Sequence, residues 1–333
     1  MKFFNSSTLI AQGLIEPSLP RKYPFQRIPN QFQKLLRKEL WNFSQNSAGV
    51  SVTFQTNSTK IRIQWKIKKD FQMNHMANTG IKGLDLYQYK NDSWYYRSTG
   101  IPISKSNDEI IFENKKTKLR KFRLHLPLYV TLTDLKIGVS NDCKFLNSQL
   151  DSKNIVFYGT SITQGGCASR PGLAHTNIIS RKTSYNCINF GFDGNGHLET
   201  SVGQILSKIK ANFYIIDCLP NVDMKLIKTN VIPLIESIRS SHNSIDKPII
   251  FVEQPDAHDN YFDENIVEKN MVLKQQVQKA KKIGHENIYL IECKGSLGKD
   301  NDATVDGIHY NDIGYARFAK HLITELRKLN IGF

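Results

Sequence analysis

The sequence predicts an α/β protein in two parts. A β-sandwich of jelly-roll type occupies residues 1–147, and a parallel five-stranded sheet with helices on both faces occupies residues 148–333. Three observations predict it. Up to about residue 145, short segments alternate apolar and polar residues with period two, the pattern of half-buried strands. After about residue 150, continuous apolar runs alternate with helical patterns, as a parallel sheet covered on both faces requires. And 333 residues suffice for two cores, where a single domain would be unusually large.

In the first part the strand segments are Val50–Phe54, Lys60–Trp65, Gly83–Gln88, Trp94–Arg97, Lys121–Leu126 and Leu135–Val139. Turn chemistry at Asn57-Ser58, Lys90–Ser93 and Ser106–Asp108 separates them, and Pro102 and Pro127 mark strand ends. No segment there reads as a convincing helix, which favours a sandwich or jelly roll. The polar stretch Asn147–Lys153 is the expected boundary. In the second part, apolar strands are expected at Ile155–Tyr158, Asn186–Phe190, Phe213–Cys218, Pro248–Val252 and Ile288–Ile291. Helical patterns include Glu199–Lys210, Asn265–Ile283 and Gly314–Leu329.

Composition narrows the partners. The 45 Lys and Arg exceed the 30 Asp and Glu by a formal +15, yet the basic clusters Lys66–Lys69, Lys115–Lys121 and Lys279–Lys282 are widely separated. They carry no aromatic–basic interleaving, so dispersed surface charge is expected and no nucleic-acid partner. No apolar run approaches the roughly 20 residues of a membrane span. The first residues, MKFFNSSTLIAQGLIEP, lack the continuous apolar core of a secretory signal. Five cysteines (143, 167, 187, 218 and 293) include no CxxC, so neither a disulfide framework nor a metal site is expected. Free thiols and no visible signal make the cytoplasm the expected compartment, or an exported location if a signal was removed before this numbering. The oligomeric state is open.

Four stretches carry glycine or polar residues at strand ends: Gly159–Thr163, Asn189–Gly196, Asp217–Asn221 and Asp306–His309. In a parallel sheet these converge on one edge, where open α/β sheets present reactive groups. Together they form a complete set for acyl transfer. Ser161 would attack an ester carbonyl, His309 would take and return its proton, and Asp306 would orient the imidazole. The Ser161 and Gly194 amides and the Asn221 side chain would receive the negative oxygen of the tetrahedral intermediate. Taken singly, each has a plainer reading: Ser161 or Asn221 as a helix cap, Gly194 as a turn former, His309 and Asp306 as loop residues.

These four blocks resemble the SGNH (GDSL-type) hydrolases, with a serine in Gly-x-Ser, then a glycine, an asparagine and a final Asp-x-x-His. Block one reads Gly159-Thr160-Ser161-Ile162 rather than the literal Gly-Asp-Ser-Leu. Gly83-Leu84-Asp85-Leu86-Tyr87 is similar to the GxDLY signature of an N-terminal β-domain that precedes one subgroup. Arg27-Ile28-Pro29, Leu126–Tyr129 and Thr163–Gly172 fit that subgroup as well. The resemblance implies a flavodoxin-like catalytic domain that needs no cofactor. It also implies a serine esterase that removes short acyl groups, acetyl above all, from a sugar or glycoconjugate. The partner is then a small-molecule or oligosaccharide ester. Two other functions stay open: a lipase, lysophospholipase or acyl-thioesterase on the same residues, and a carbohydrate-binding module with a silent hydrolase fold.

Further candidates lie near these blocks. Arg170 would contact an anionic or hydroxylated substrate, or pin its loop. His258, with Asp256 and Glu253, follows the fourth strand and would line the pocket. His75, Asp85 and Tyr87 would reach the site from the first domain, Asp85 and Tyr87 more often being structural.

Overall fold

The computed structural model describes residues 1–148, 153–256 and 265–333. In its C-terminal half five parallel strands run in the order Tyr185–Gly191, Lys153–Gly159, Phe213–Asp217, Ile249–Val252, Ile288–Ile291. In sequence order this is 2-1-3-4-5, the doubly wound arrangement in which the strand order reverses beside the first strand. Ligands bind such sheets at that reversal, just beyond the carboxyl ends of the strands. Gly159, Gly191 and Asp217 are paired there at the ends of adjacent strands.

These strands read as unbroken apolar runs because both faces are buried. Ile155 and Phe157 point into one core, while Val156 and Tyr158 point into the other. The helices Thr200–Leu206, Met224–Ile238 and Ile266–Lys282 cover the second face. Met224–Ile238 carries Pro233 in its interior, a residue that disguises a helix in sequence. His175–Lys182 and Asp312–Lys328 cover the first face.

The N-terminal half contains two antiparallel sheets. One runs Lys2–Asn5, Leu132–Val139, Lys60–Ile67, Ser106–Glu113. The other runs Phe145–Asn147, Ser51–Thr56, Arg120–His125, Leu84–Lys90, Ser93–Gly100, with Ala11–Gln12 added beside Ser51–Thr56. All six expected strands form. Ser106–Asp108, expected as a turn, instead opens a strand at the edge of its sheet, with Ser106 and Asp108 exposed and the buried Asn107 side chain bonded to the Ile103 and Ser104 backbone. Three short helical segments, Asn30–Leu35, Lys38–Ser44 and Asn78–Lys82, also depart from the all-strand expectation.

The apolar core does not stop between the halves. Val52, Phe54, Trp65, Leu86 and Phe122 of the sandwich belong to one continuous cluster with Ile155, Phe157, Ile215 and Phe318. Ile28, Phe32, Leu36 and Leu40 pack into the core on the opposite face of the parallel sheet. The stretch expected as the boundary lies partly outside the described residues.

Candidate active site

Ser161 is the first residue of a one-turn helix, Ser161–Gln164, directly beyond the strand that ends at Gly159. Thr160 caps that helix, its Oγ1 accepting the Ile162 N–H at 3.2 Å, so the capping role falls on Thr160 and the Ser161 hydroxyl is left for other work. The Ser161 carbonyl accepts from the Gly165 and Gly166 amides at 2.9 and 2.8 Å and from the Tyr129 hydroxyl at 3.4 Å. Gly166 is tightly enclosed. A Cβ there would lie 2.8 Å from the Tyr129 hydroxyl and 3.3 Å from His309 Cδ2. The Tyr315 hydroxyl, on the last helix, donates to the Ile162 and Gly166 carbonyls at 3.0 and 2.8 Å. The Ser161 turn is thus held from both halves of the chain.

The loop before the last helix delivers the partner. Ser161 Oγ lies 2.9 Å from His309 Nε2, and His309 Nδ1 lies 2.8 Å from Asp306 Oδ2. Asp306 Oδ1 accepts the His309 and Ile308 amides at 2.8 and 3.1 Å, which fixes the carboxylate against the ring. Partial burial pushes the Asp306 carboxyl up. The amide and ring hydrogen bonds from His309, with the Ile308 amide, outweigh it, and the group is held below the ordinary carboxylate range.

Three further groups lie on segments just beyond the same strand ends. The Ser161 amide is in the first turn of its helix and has no intrahelical acceptor. Gly194 sits in the turn Phe192–Asn195 at φ +63°, a left-handed conformation that favours glycine, and a Cβ there would meet nothing within 4 Å. Asn221, at the end of a short 3-10 turn, accepts the Gly196 amide on Oδ1 at 3.1 Å. That bond fixes the side-chain amide and leaves its N–H₂ end without an acceptor among the described residues.

The N-terminal half holds this edge in place through residues that sequence reasoning did not single out as site residues. Arg27, fully buried, donates to the Asn189 and Gly191 carbonyls at 2.9 Å each and to those of Phe43 and Asn46. Burial lowers its guanidinium to about 9, against a smaller opposing effect of Tyr129. Arg37 donates to Glu199 at 2.6 Å, and to the Asn195 side chain and carbonyl. Both therefore grip the loop that carries Gly194. Arg37 has no signal in sequence, and Arg27 shows only within Arg27-Ile28-Pro29, a motif that names no contact with this loop.

Arg170 corrects one expectation. Its guanidinium is engaged within the chain, as the loop-pinning alternative expects. It donates to Asp85 Oδ2 at 2.7 Å and to the Tyr87 hydroxyl at 2.8 Å, and lies 3.9 Å over the Tyr96 ring. Asp85 also accepts the Gly172 amide and the Thr99 hydroxyl, both at 2.7 Å. The Asp85–Tyr87 motif is therefore a seam between the halves, and Arg170 pins its loop there. His258 lies outside the described residues. Asp256 accepts the Gly295 amide at 2.8 Å and Glu253 the Cys293 amide at 3.3 Å, so both support loops.

His75 does reach across. Its ring centroid is 5.6 Å from that of His309. His75, Cys167 and His309 each place a ligand atom within 4.8 Å of the others. Burial, with Asp306 and Asp193, pushes the Cys167 thiol up to about 12, so it is protonated at neutral pH, and both His309 nitrogens are engaged. The trio packs around the imidazole. Sequence spacing had given no metal ligands, and these three groups offer a metal no ready anionic donor.

The parallel sheet thus carries a serine, an imidazole and a carboxylate in hydrogen-bonded sequence at its strand reversal. Residues 152–327 match the model of the GDSL-like lipase/acylhydrolase family, and the chain belongs to that family. Residues 1–145 match the N-terminus of esterases of the SGNH hydrolase type. A Bacteroides ovatus protein described as a GDSL-like lipase is 32% identical, with 98% of this chain and 97% of that one covered, at a TM-score of 0.92. The salicylyl-acyltransferase SsfX3 of a tetracycline biosynthetic pathway is 13% identical over 98% and 97%, at a TM-score of 0.78. A family two carbohydrate esterase from Clostridium thermocellum, in complex with cellohexaose, is 14% identical over 85% and 94%, at 0.64. The last two share the fold. No curated protein matches the chain.

Proposed function

We propose that the protein is a serine esterase that removes short acyl groups, acetyl above all, from a carbohydrate or glycoconjugate. The observation that carries this reading is the continuous relay from Ser161 Oγ through His309 to Asp306, with 2.9 and 2.8 Å links. In the proposed mechanism His309 Nε2 takes the serine proton as Oγ attacks the ester carbonyl. Asp306 holds the imidazole in the tautomer that can accept it and stabilises the imidazolium. The tetrahedral oxygen is received by the Ser161 and Gly194 amides and the Asn221 side chain. His309 then gives its proton to the departing alcohol, and a water molecule, activated by the same imidazole, releases the acid. No step calls for a metal or an organic cofactor.

A second reading, a lipase acting on longer chains, is favoured by the description of the Bacteroides ovatus relative. No helix among the described residues is long and apolar enough to cross a membrane. The two readings separate in one experiment. Wild type and Ser161→Ala are assayed on p-nitrophenyl esters from acetate to palmitate and on a panel of acetylated sugars. The esterase reading expects activity to peak at acetate, to extend to at least one sugar ester and to vanish in the variant. Turnover that rises steeply with chain length or at a lipid interface replaces it with the lipase reading.

A further inference from the structure

In the proposed mechanism the proton on His309 goes to the departing alcohol, so side chains beside that imidazole border the alcohol half of the ester. Two side chains stand there, one from each half of the chain. His75 comes from the N-terminal segment Met73–Met76 and places its ring 5.6 Å from His309. Its Nδ1 lies 3.2 Å from the Asn74 side chain, and its Nε2 has no partner among the described residues. Asp193 comes from the turn that also carries Gly194, one residue before it. Its amide is held by Gln164 Oε1 at 3.1 Å, so the backbone is fixed, yet its half-buried carboxylate receives no hydrogen bond from any described residue. Burial pushes that carboxyl above its ordinary range, while His309 and His75 draw it back. Asp193, His75 and His309 are thus near enough to act on one another without being hydrogen-bonded to one another.

A half-buried carboxylate with empty acceptor positions is unfavourable until donors fill them. An ionised carboxylate accepts only, and the free imidazole nitrogen adds one further donor or acceptor. Neighbouring hydroxyls on one ring, each both donor and acceptor, satisfy that pair. An acyl chain or a simple alkyl alcohol offers them nothing. We propose that Asp193 and His75 form a leaving-group subsite that selects esters of polyhydroxylated alcohols by hydrogen-bonding hydroxyls next to the esterified oxygen. This deepens the esterase reading and rests on it. It also gives the N-terminal half a direct part in choosing substrate, through His75.

The test compares two esters of one acid. The kcat/KM for a monoacetylated methyl glycoside is divided by that for p-nitrophenyl acetate, whose leaving group has no hydroxyl to recognise. The ratio cancels any general loss of serine reactivity or of folded protein. It is expected to fall about tenfold or more in Asp193→Asn and in His75→Ala, as loss of a hydrogen bond to a charged or buried group implies. The loss should lie mainly in KM, and His75→Gln, which keeps a polar tip, should recover part of it. A ratio within about twofold of wild type in both variants overturns the subsite. So does a wild type that cleaves p-nitrophenyl acetate but no monoacetylated glycoside, and the esterase reading survives both results. A wild type inert to both esters, with Ser161 unlabelled by a fluorophosphonate, removes the esterase reading and the subsite with it.

Discussion

Two polar clusters lie on either side of the loop from Thr163 to Gly172, and they are built on opposite principles. At the seam, Asp85 accepts Arg170, Gly172 and Thr99, Tyr87 accepts Arg170, and the Arg181 guanidinium lies 4.0 Å over the Tyr87 ring. Nearly every polar atom there has found its partner within the chain. At the strand edge the Ser161 amide, the Asn221 amide end, the Asp193 carboxylate and His75 Nε2 all lack one among the described residues. Both clusters are charged and half-enclosed, so neither composition nor burial tells them apart. Spare hydrogen-bonding capacity does. A satisfied cluster holds the chain together, and an unsatisfied one is waiting for a ligand.

The sharpest break of that contrast is at Ser161, the proposed nucleophile. Ser161→Ala should lower kcat on p-nitrophenyl acetate by about 10⁴-fold or more, since removing one member of such a relay disables the unit. Retained turnover in steady-state assays would move the reaction to another group. Asn221→Ala should cost about 10² to 10³ in kcat with little change in KM, the signature of a donor used mainly in the transition state. A pure KM effect would make Asn221 a ground-state contact. On the seam the currency changes from rate to stability. Asp85→Ala leaves Arg170 without its counterion and should destabilise the fold by about 3 kcal/mol in urea unfolding. An unaltered midpoint would mean that the seam holds nothing.

The smallest effect concerns Asp217, which is buried beneath the strand edge with the Thr163 hydroxyl 3.3 Å away. Burial raises its carboxyl to about 7, the Thr163 hydrogen bond opposing. Between about pH 4 and 7 the folded state therefore keeps a proton that the unfolded chain releases, so this group's contribution to stability falls as pH rises. Asp217→Asn should gain in melting temperature over wild type on going from pH 4.5 to 8. A constant difference across that range would show that the carboxyl ionises normally in the fold.

Much of this was legible in the chain because two physical signals are strong. Strands buried on both faces must be apolar throughout, which marked all five parallel strands, and the polar residues directly after them had to gather at one edge. That reasoning brought Ser161, Gly194, Asn221, Asp306 and His309 together, and the structure does bring their elements together. It failed where a residue's partner is distant and the pattern is silent. Arg27 and Arg37 grip the Gly194 loop from more than 150 positions away; Arg37 looks like an ordinary cation in sequence, and the motif Arg27-Ile28-Pro29 does not say what Arg27 would hold. Arg170 follows the nucleophile closely but turns to Asp85, because a buried carboxylate on the first domain attracts it more strongly than open space does. Asp193 drew no expectation of its own, since one acid in a glycine-rich turn has no period to read.

The grip of Arg27 on the carbonyls of Asn189 and Gly191 bears on how such a chain can be inherited. The two halves look like interchangeable modules, one a sandwich and one a hydrolase. Yet the turn that presents Gly194 is braced by an arginine encoded some 160 codons earlier. A recombination event that joined this hydrolase half to a foreign leader would arrive with every reacting side chain intact and with part of its frame missing. Descent should therefore favour keeping the pair together, and changes on one side of the seam should be answered on the other.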